Sequence, residues 1–365
     1  MGPNPNVCRF PGCDLCLAVN TKVHCIDCLE APEENIHGAL IDISYCSHKH
    51  LLLDDDAHRG ECLERQNRRT MIRVAQLCSR MYHDILSWLY ASRFDITGSY
   101  QFNPERIVHV RKRSNPRAGG QWYPSNMDIR TVLAAVGHDM CAFSVNLVVP
   151  LVAWLLRNQR IGLAVWHVRP IMTSQTIINY VDSHFKCNAG WHVIFTMDSA
   201  SDRIVVDLTG PQYGHTDTIS RSESYVTDHV SSPETAERHR FGHIIEFHHR
   251  NLTNSFTTSE LKKHELLLEI AIRILCNTFH YNLMRQCPGG AEELFTMRHD
   301  NFMRTLHEIF FWLCEELNVQ QIDLDAALFS DDWEAAYWEL LFKNYGPGYH
   351  EMRAAYAIGR DQERF

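Results

Sequence analysis

Cysteine and histidine residues crowd the first 62 residues of this 365-residue chain, and seven of the thirteen cysteines lie there. Eight of these side chains form four pairs with metal-ligand spacing: Cys13-x2-Cys16, Cys25-x2-Cys28, Cys46-x3-His50 and His58-x3-Cys62. Two intervening residues let both sulfurs turn onto one ion, and three place both ligands one helical turn apart. Because four pairs suffice for two tetrahedral sites of thiolate and imidazole ligands, we predict two Zn²⁺ per chain.

The same segment is poor in aliphatic side chains and has no long helical or strand period. Such a segment cannot bury enough apolar surface to fold unaided, so it needs metal ions or disulfides. A closed site with four protein ligands is structural rather than catalytic. Cys8 is a ninth candidate ligand, which competes with Cys13 or His50. Disulfides are the alternative, but they require an oxidising compartment.

Composition and charge limit the compartment and the partners. The N-terminus, MGPNPNVCRFPGCDLC, lacks the charged and apolar regions of a signal peptide. The longest apolar run, 140–156, contains Ser144, Asn146 and Pro150, and it is shorter than the ~20 apolar residues of a spanning helix. The net charge of −9 gives no basic field for nucleic acid or membrane. We therefore expect an intracellular protein, cytoplasmic or nuclear, that binds no membrane, and the sequence carries no strong signal for nucleic-acid binding.

The rest of the chain has the pattern of an α+β protein. Apolar residues at helical spacing predict helices over 64–94, 128–159, 257–287 and 291–343. Apolar runs bounded by turn residues predict strands over 106–113, 161–168, 191–197, 203–208 and 242–247. In the second helix we expect Asp139 to act as a cap and Pro150 to force a kink or a restart. A turn over 198–202, DSASD, should join the third and fourth strands into a hairpin.

Three residues in the middle of the chain have the chemistry of an acyl-transfer site. His192 begins an apolar strand, GWHVIFTM, and Asp207 ends the next one, RIVVDLTG, so the hairpin brings them within reach. Cys141 precedes an apolar helix, whose dipole stabilises the nucleophilic thiolate form of a cysteine. A cysteine nucleophile, a histidine base and an aspartate that orients the base form a known catalytic constellation.

Structural explanations compete with this interpretation. Cys141 also suits a small buried core position, His192 a packed strand histidine, and Asp207 a plain hairpin-end carboxylate. Cys187, in FKCNAGWH, is a rival nucleophile only five residues before His192. The three residues also fit a vestigial site that keeps the fold without the activity.

The N-terminal segment resembles the MYND zinc finger. The stretch YCSHKHLLLDDDAHRGEC, 45–62, follows that family's closing pattern of Tyr-Cys-Ser, a further ligand, an acidic residue and His-x3-Cys. The family usually has cysteine where His50 stands, and its usual tryptophan is replaced near Asp55. The resemblance implies interleaved sites, one made by Cys13, Cys16, Cys46 and His50, the other by Cys25, Cys28, His58 and Cys62. It also implies binding of short, often proline-containing peptides. The SET methyltransferase domain that often follows such fingers would need an asparagine-histidine-serine-cysteine motif, which this sequence lacks.

The segment around 120–215 resembles the transglutaminase-like superfamily, which includes transglutaminases, papain-like peptidases and arylamine acetyltransferases. The order Cys141, His192, Asp207 is that of the superfamily, as are LLRNQRIGLAV before the first strand and Asp-Leu-Thr at 207–209. The sequence departs from the pattern at Asp139, where the family has glycine, and at Leu208, where it has proline. The resemblance implies cysteine-dependent acyl transfer or amide hydrolysis. It also makes Gln121 a candidate oxyanion donor.

These observations predict a MYND-type finger over 8–62, a linking helix and connecting segment over 63–127, a transglutaminase-like core over 128–257 and a helical part over 258–345. Two functions follow from them. In the first, the finger binds protein or peptide partners and the large domain is a scaffold or an inactive enzyme. In the second, the large domain is an enzyme with Cys141, His192 and Asp207 as its triad. The sequence favours the first because the zinc motif is the more specific.

Overall fold

The structure is a computed structural model, in which the described residues are 7–13, 22–32, 40–91, 94–102, 104–112, 122–138, 140–180, 183–186, 191–240, 258–328 and 346–361. It is a mixed α+β fold, with helices and two larger sheets around one main hydrophobic core. Within these ranges no helix is both long and apolar enough to cross a membrane.

The N-terminal module consists of two small antiparallel ladders. Strand β1 (Val23–His24) pairs with β4 (Ser44–Tyr45), and β2 (Ala31–Pro32) pairs with β3 (Leu40–Ile41). Its interior is a small cluster in which buried cysteines outnumber the other apolar residues, Ile43 and Tyr45. This composition agrees with the expectation that the segment needs more than apolar burial to fold.

Helix α1 (His48–Ala91) runs without interruption from this module into the main core. The apolar stripe predicted its second half, where Met71, Val74, Cys78 and Ile85 are buried. The helix begins at His48 rather than near 64. The sequence did not predict these first turns, because candidate metal ligands interrupt the apolar pattern there. The predicted boundary between finger and linking helix at 62/63 therefore falls inside one continuous helix.

A five-stranded antiparallel sheet lies beside this helix, with the strand order β12-β11-β10-β7-β13. Its members are β7 (Gly162–Val168), β10 (His192–Asp198), β11 (Arg203–Val206), β12 (Ile219–Arg221) and β13 (Glu237–Arg240). Asp198 pairs with Arg203, so the turn between β10 and β11 lies where the sequence predicted it.

A second sheet has the order β5-β6-β8-β9 and was largely missed from sequence. Its strands are β5 (Phe94–Phe102), β6 (Glu105–Lys112), β8 (Gln175–Tyr180) and β9 (Ser183–Lys186), with β6 and β8 parallel and the other pairs antiparallel. Only β6 was predicted. Strand β5 is mostly exposed and polar, so it carries little of the apolar pattern that identifies a strand.

The helix predicted over 128–159 is two helices, α2 (Ile129–Val136) and α3 (Cys141–Leu156). The chain breaks at Gly137, whose amide donates to the Leu133 carbonyl at 2.9 Å and whose position leaves little room for a side chain. Pro150 lies within α3 and does not restart it. Asp139, the predicted cap, lies outside the described residues.

The remaining helices close the core. They are α4 (Ser222–His229), α5 (Thr258–Gln286), α6 (Gly290–Thr296), α7 (His299–Leu328) and α8 (Pro347–Asp361). Helix α5 ends just before Cys287, as predicted. The strand predicted over 242–247 and the part of the predicted C-terminal helix beyond 328 lie outside the described residues.

Candidate metal centres and active site

The first candidate metal centre is made by Cys25, Cys28, His58 and Cys62, all of them buried. The Cys25 and Cys62 sulfurs are 3.6 Å apart, and the Cys28 sulfur is 3.4 Å from Nε2 of His58. Around a tetrahedral zinc ion, bond lengths of about 2.3 Å to sulfur and 2.0 Å to nitrogen place two sulfurs about 3.8 Å apart and sulfur about 3.5 Å from nitrogen. The observed distances therefore fit a single tetrahedral ion.

The electrostatics of this donor set are compatible with a cation. Hydrogen bonds with Cys25 and Cys62, together with burial, raise the pKa of Cys28 far above its usual value, whereas hydrogen bonds with Cys28 and Cys62 lower the pKa of Cys25. Hydrogen bonds with Cys25 and Cys62 also raise the pKa of His58 to about 10. A metal ion would compensate the charge of neighbouring thiolates, and the four side chains could hold one.

The second candidate centre contains Cys8, Cys13, Cys46 and His50. Nδ1 of His50 lies 3.1 Å from the Cys46 sulfur and 3.5 Å from the Cys8 sulfur, and the sulfurs of Cys13 and Cys46 are 3.8 Å apart. Phe10 stacks on the His50 ring at 4.5 Å and holds its plane. Cys8, the competitor in the sequence analysis, completes the four, whereas Cys16 lies outside the described residues.

Buried arginines of α1 hold the loop that carries Cys25 and Cys28. Arg65 donates to the carbonyl of Ala31, Arg68 to that of Pro32, and Arg69 to those of Leu29 and Asp27. Arg68 also forms a buried ion pair of 2.6 Å with Asp202 in the turn between β10 and β11. The metal module is therefore packed directly on the larger domain.

The candidate active site begins with His192 and Asp207, which lie at corresponding ends of two adjacent strands. Nε2 of His192 is 2.8 Å from Oδ1 of Asp207, and both side chains are almost completely buried. His192 is the first residue of β10, and Asp207 directly follows β11. The hairpin thus brings together the two residues that sequence reasoning paired.

Cys141 lies near enough to His192 for its thiol to influence the ring. It is the first residue of α3, and it packs half-buried against the main core. Nδ1 of His192 has no hydrogen-bond partner among the described residues. Burial alone would lower the pKa of His192, but the Asp207 charge and hydrogen bond, with a smaller contribution from the Cys141 thiol, raise it to about 10. The structure therefore brings His192 and Asp207 into direct contact, with Cys141 in their neighbourhood.

Asp207 is an ionised carboxylate surrounded by donors. Burial favours its neutral form, but the charge of His192 and the hydrogen bonds with His192 and His215 hold the pKa of Asp207 far below its usual range. Its Oδ1 also accepts from the Thr209 amide at 3.2 Å, and its Oδ2 accepts from the Tyr225 hydroxyl at 2.8 Å. Oδ2 additionally lies 3.4 Å from Nδ1 of His215. The carboxylate is therefore fixed and cannot rotate away from His192.

Sequence reasoning missed Tyr213, His215 and Tyr225. Tyr213 packs edge-on against the His192 ring, with the ring centres 4.7 Å apart. A buried carboxylate accepts several hydrogen bonds, and a single histidine cannot donate all of them. The sequence could therefore have indicated that Asp207 needs further donors nearby. Cys187 and Gln121, the rival nucleophile and the candidate oxyanion donor, lie outside the described residues.

Comparisons with known proteins return no match to any protein-family model, to any curated protein or to any solved structure. The function of the chain is therefore inferred from its residues and their geometry.

Proposed function

We propose that Cys141, His192 and Asp207 form the catalytic centre of a cysteine-dependent acyltransferase or amide hydrolase, on a transglutaminase-like core. The observation that carries this proposal is the His192 ring, which has a fixed carboxylate on Nε2 and a half-buried thiol beside it. A nucleophile next to a base that a third group orients is the usual arrangement for covalent acyl transfer.

The first half-reaction forms an acyl-enzyme. His192 takes the Cys141 proton, and the thiolate sulfur attacks the acyl carbon of an amide to form the carbon–sulfur bond. His192 then gives its proton to the leaving amine as the carbon–nitrogen bond breaks. Asp207 stabilises the imidazolium throughout without itself taking the proton.

The second half-reaction regenerates the thiol. Water or an acceptor amine attacks the thioester carbon while His192 removes a proton from the attacking molecule. The carbon–sulfur bond then breaks. The first amides of a helix have no acceptor within the helix, so α3 offers donors at the residue that carries the sulfur. We assign the Cys141 amide to the negatively charged oxygen of each tetrahedral intermediate.

An activity-based acyl probe with a thiol-reactive group tests this proposal. We expect labelling of the wild-type chain at Cys141 and its loss in Cys141→Ala. Cys314 is the matched control, since it is also half-buried and burial raises its pKa; Cys314→Ala should label like the wild type. Undiminished labelling of Cys141→Ala would show that another thiol reacts and would reject the proposal.

We further propose that the metal module is a MYND-type finger that holds two Zn²⁺ and binds partner peptides. Thiolate and imidazole donors in tetrahedral groups of four favour zinc. The largely exposed apolar side chains of Ile26, Leu52 and Leu53 offer a contact surface on this module. Because zinc thiolates and a reactive cysteine both need reducing conditions, we place the protein in the cytoplasm or nucleus.

Selection of peptides on the full-length chain tests the binding function. We expect enrichment of short, proline-containing sequences on the wild type and its loss in Leu52→Asp, because a buried charge replaces an apolar contact. Phe102→Asp, on the exposed strand β5, is the control for a general loss of surface hydrophobicity. No enrichment on a chain that contains two zinc ions would reject the binding function while leaving the metal assignment intact.

A further inference from the structure

His215 makes a second contact with the carboxylate of the proposed active site, on the side opposite His192. Its side chain is fully buried. Nδ1 lies 3.4 Å from Oδ2 of Asp207, and Nε2 lies 2.8 Å from the carbonyl oxygen of Ile171. The ring is thus held between a carboxylate and a backbone carbonyl.

Both partners of this ring are acceptors only. An ionised carboxylate and a carbonyl oxygen have no hydrogen to donate, so His215 satisfies both when each ring nitrogen carries a hydrogen. The Tyr225 hydroxyl donates a second hydrogen bond to Oδ2 of Asp207. Burial and the Asp207 charge raise the pKa of Tyr225 well above the usual value, so the hydroxyl remains a donor. The His229 ring packs against the His215 ring at a tilt of 30°, with the ring centres 4.1 Å apart, and restricts its movement.

The loop between Asp207 and His215 is built around their contact. A side chain at Gly210 would lie 2.7 Å from Oδ2 of Asp207 and 3.0 Å from Cβ of His215. The His215 amide donates to the Gly210 carbonyl at 3.1 Å. Gly214 has a φ of +87°, a conformation that side-chain-bearing residues rarely adopt. Two glycines are therefore needed for the loop to bring His215 to the carboxylate.

We propose that His215 is a positioning residue, which fixes the Asp207 carboxylate and thereby holds the His192 ring against Cys141. This inference rests on the proposed acyl-transfer function. The proposed unit is two imidazoles on one carboxylate, with His192 on Oδ1 facing the nucleophile and His215 on Oδ2 facing the protein interior.

The alternative is that His215 only tethers the segment around Ile171 to the fold. Two substitutions separate these roles, because each keeps one of the two donors. The amide nitrogen of asparagine takes the place of Nδ1, so His215→Asn keeps the donor to Asp207. The amide nitrogen of glutamine reaches the place of Nε2, so His215→Gln keeps the donor to Ile171.

The experiment measures two rates for the wild type and both variants. One is the alkylation rate of Cys141 by iodoacetamide at pH 7, followed by peptide mass spectrometry, with Cys314 as internal reference. The other is the labelling of Cys141 by the acyl probe, described by its maximal rate kinact and its half-saturating concentration KI. We expect His215→Gln to lose about 10- to 100-fold in alkylation rate and kinact with little change in KI, and His215→Asn to stay within a few-fold of the wild type.

The possible outcomes test the role of His215 separately from the proposed acyl-transfer function. A wild-type Cys141 that reacts no faster than Cys314 overturns the proposed function and the inference with it. If Cys141 is reactive in the wild type, but the two variants react at equal rates or His215→Asn reacts more slowly than His215→Gln, the inference alone is overturned. If neither variant folds, nitrogen NMR of wild-type His215 decides: a hydrogen on Nδ1 is expected, and a bare Nδ1 contradicts the proposal.

Discussion

Replacement of Asp207 by asparagine removes the charge that the proposed site depends on while keeping the size of the side chain. The carboxylate is the largest favourable influence on His192, whose pKa stands at about 10 against burial that would lower it. Relative to an unperturbed value of about 6.5, this is roughly 5 kcal/mol of stabilisation of the imidazolium. Asp207→Asn should remove most of it, since Cys141 contributes the smaller part.

The expected consequence is a fall of about 10³-fold in kinact/KI for the acyl probe, since each tenfold corresponds to about 1.4 kcal/mol. The asparagine amide also presents hydrogens to donors that need an acceptor, which disturbs the His192 tautomer. Asp198→Asn is the control, since Asp198 pairs with Arg203 at the far end of β10 and does not reach His192. We expect the control to stay within tenfold of the wild type.

The same substitution has a signature in stability. A histidine whose pKa is raised in the folded state stabilises the protein fully below its unfolded pKa of about 6.5, and this stabilisation is lost as the pH rises through about 10. Urea denaturation at pH 6, 8 and 10 should show that loss in the wild type and not in Asp207→Asn. Unchanged kinact/KI in Asp207→Asn, with the same pH dependence of stability, would refute the reasoning.

Further predictions concern the metal centres and the carboxylate. Metal analysis by mass spectrometry should give about two zinc ions per chain for the wild type and one for Cys28→Ser, while the buried non-ligand variant Cys276→Ala keeps two. Cys8→Ser should lose one zinc ion and Cys16→Ser should keep both; the reverse result would assign Cys16 to the second centre. Tyr225→Phe should lower the free energy of unfolding by about 1.5–3 kcal/mol, because it removes a buried hydrogen bond to a charged acceptor; urea titration measures this value.

The metal ligands were the easiest part of the molecule to predict, for a local reason. Pairs separated by two or three residues are brought together by a single turn, so the spacing alone groups Cys25 with Cys28 and His58 with Cys62. Cys8 follows no such rule. It reaches its partners through the fold of the whole module. Its sulfur accepts a hydrogen bond from the backbone amide of Cys46, which is 38 residues away.

The larger fold could be predicted where apolar residues repeat at a regular spacing. The second half of α1 and strands β7, β10 and β11 carry that pattern. The sequences of β5, β8 and β9 do not, and these strands are defined by their pairing partners. The break before α3 was misplaced because Pro150 is the stronger local signal. The crowding around Gly137 is tertiary, because the Thr209 side chain lies 3.6 Å from the place that a Cβ atom would occupy there.

The candidate active site was predictable only in part. A hairpin with a short turn fixes which strand ends meet, so His192 and Asp207 could be paired from sequence. His215 could not be, because a loop with a left-handed glycine sets its direction and its partners come from 44 and 8 residues away.

Alkylation of Cys141 at pH 6, compared between the wild type and His192→Phe, tests the central claim most directly. Ordinary thiols are almost entirely protonated at this pH and react slowly. If Cys141 shares its proton with His192, the wild type should react at least tenfold faster than His192→Phe, with Cys314 unchanged in both proteins. Equal rates for Cys141 in the two proteins would contradict the account.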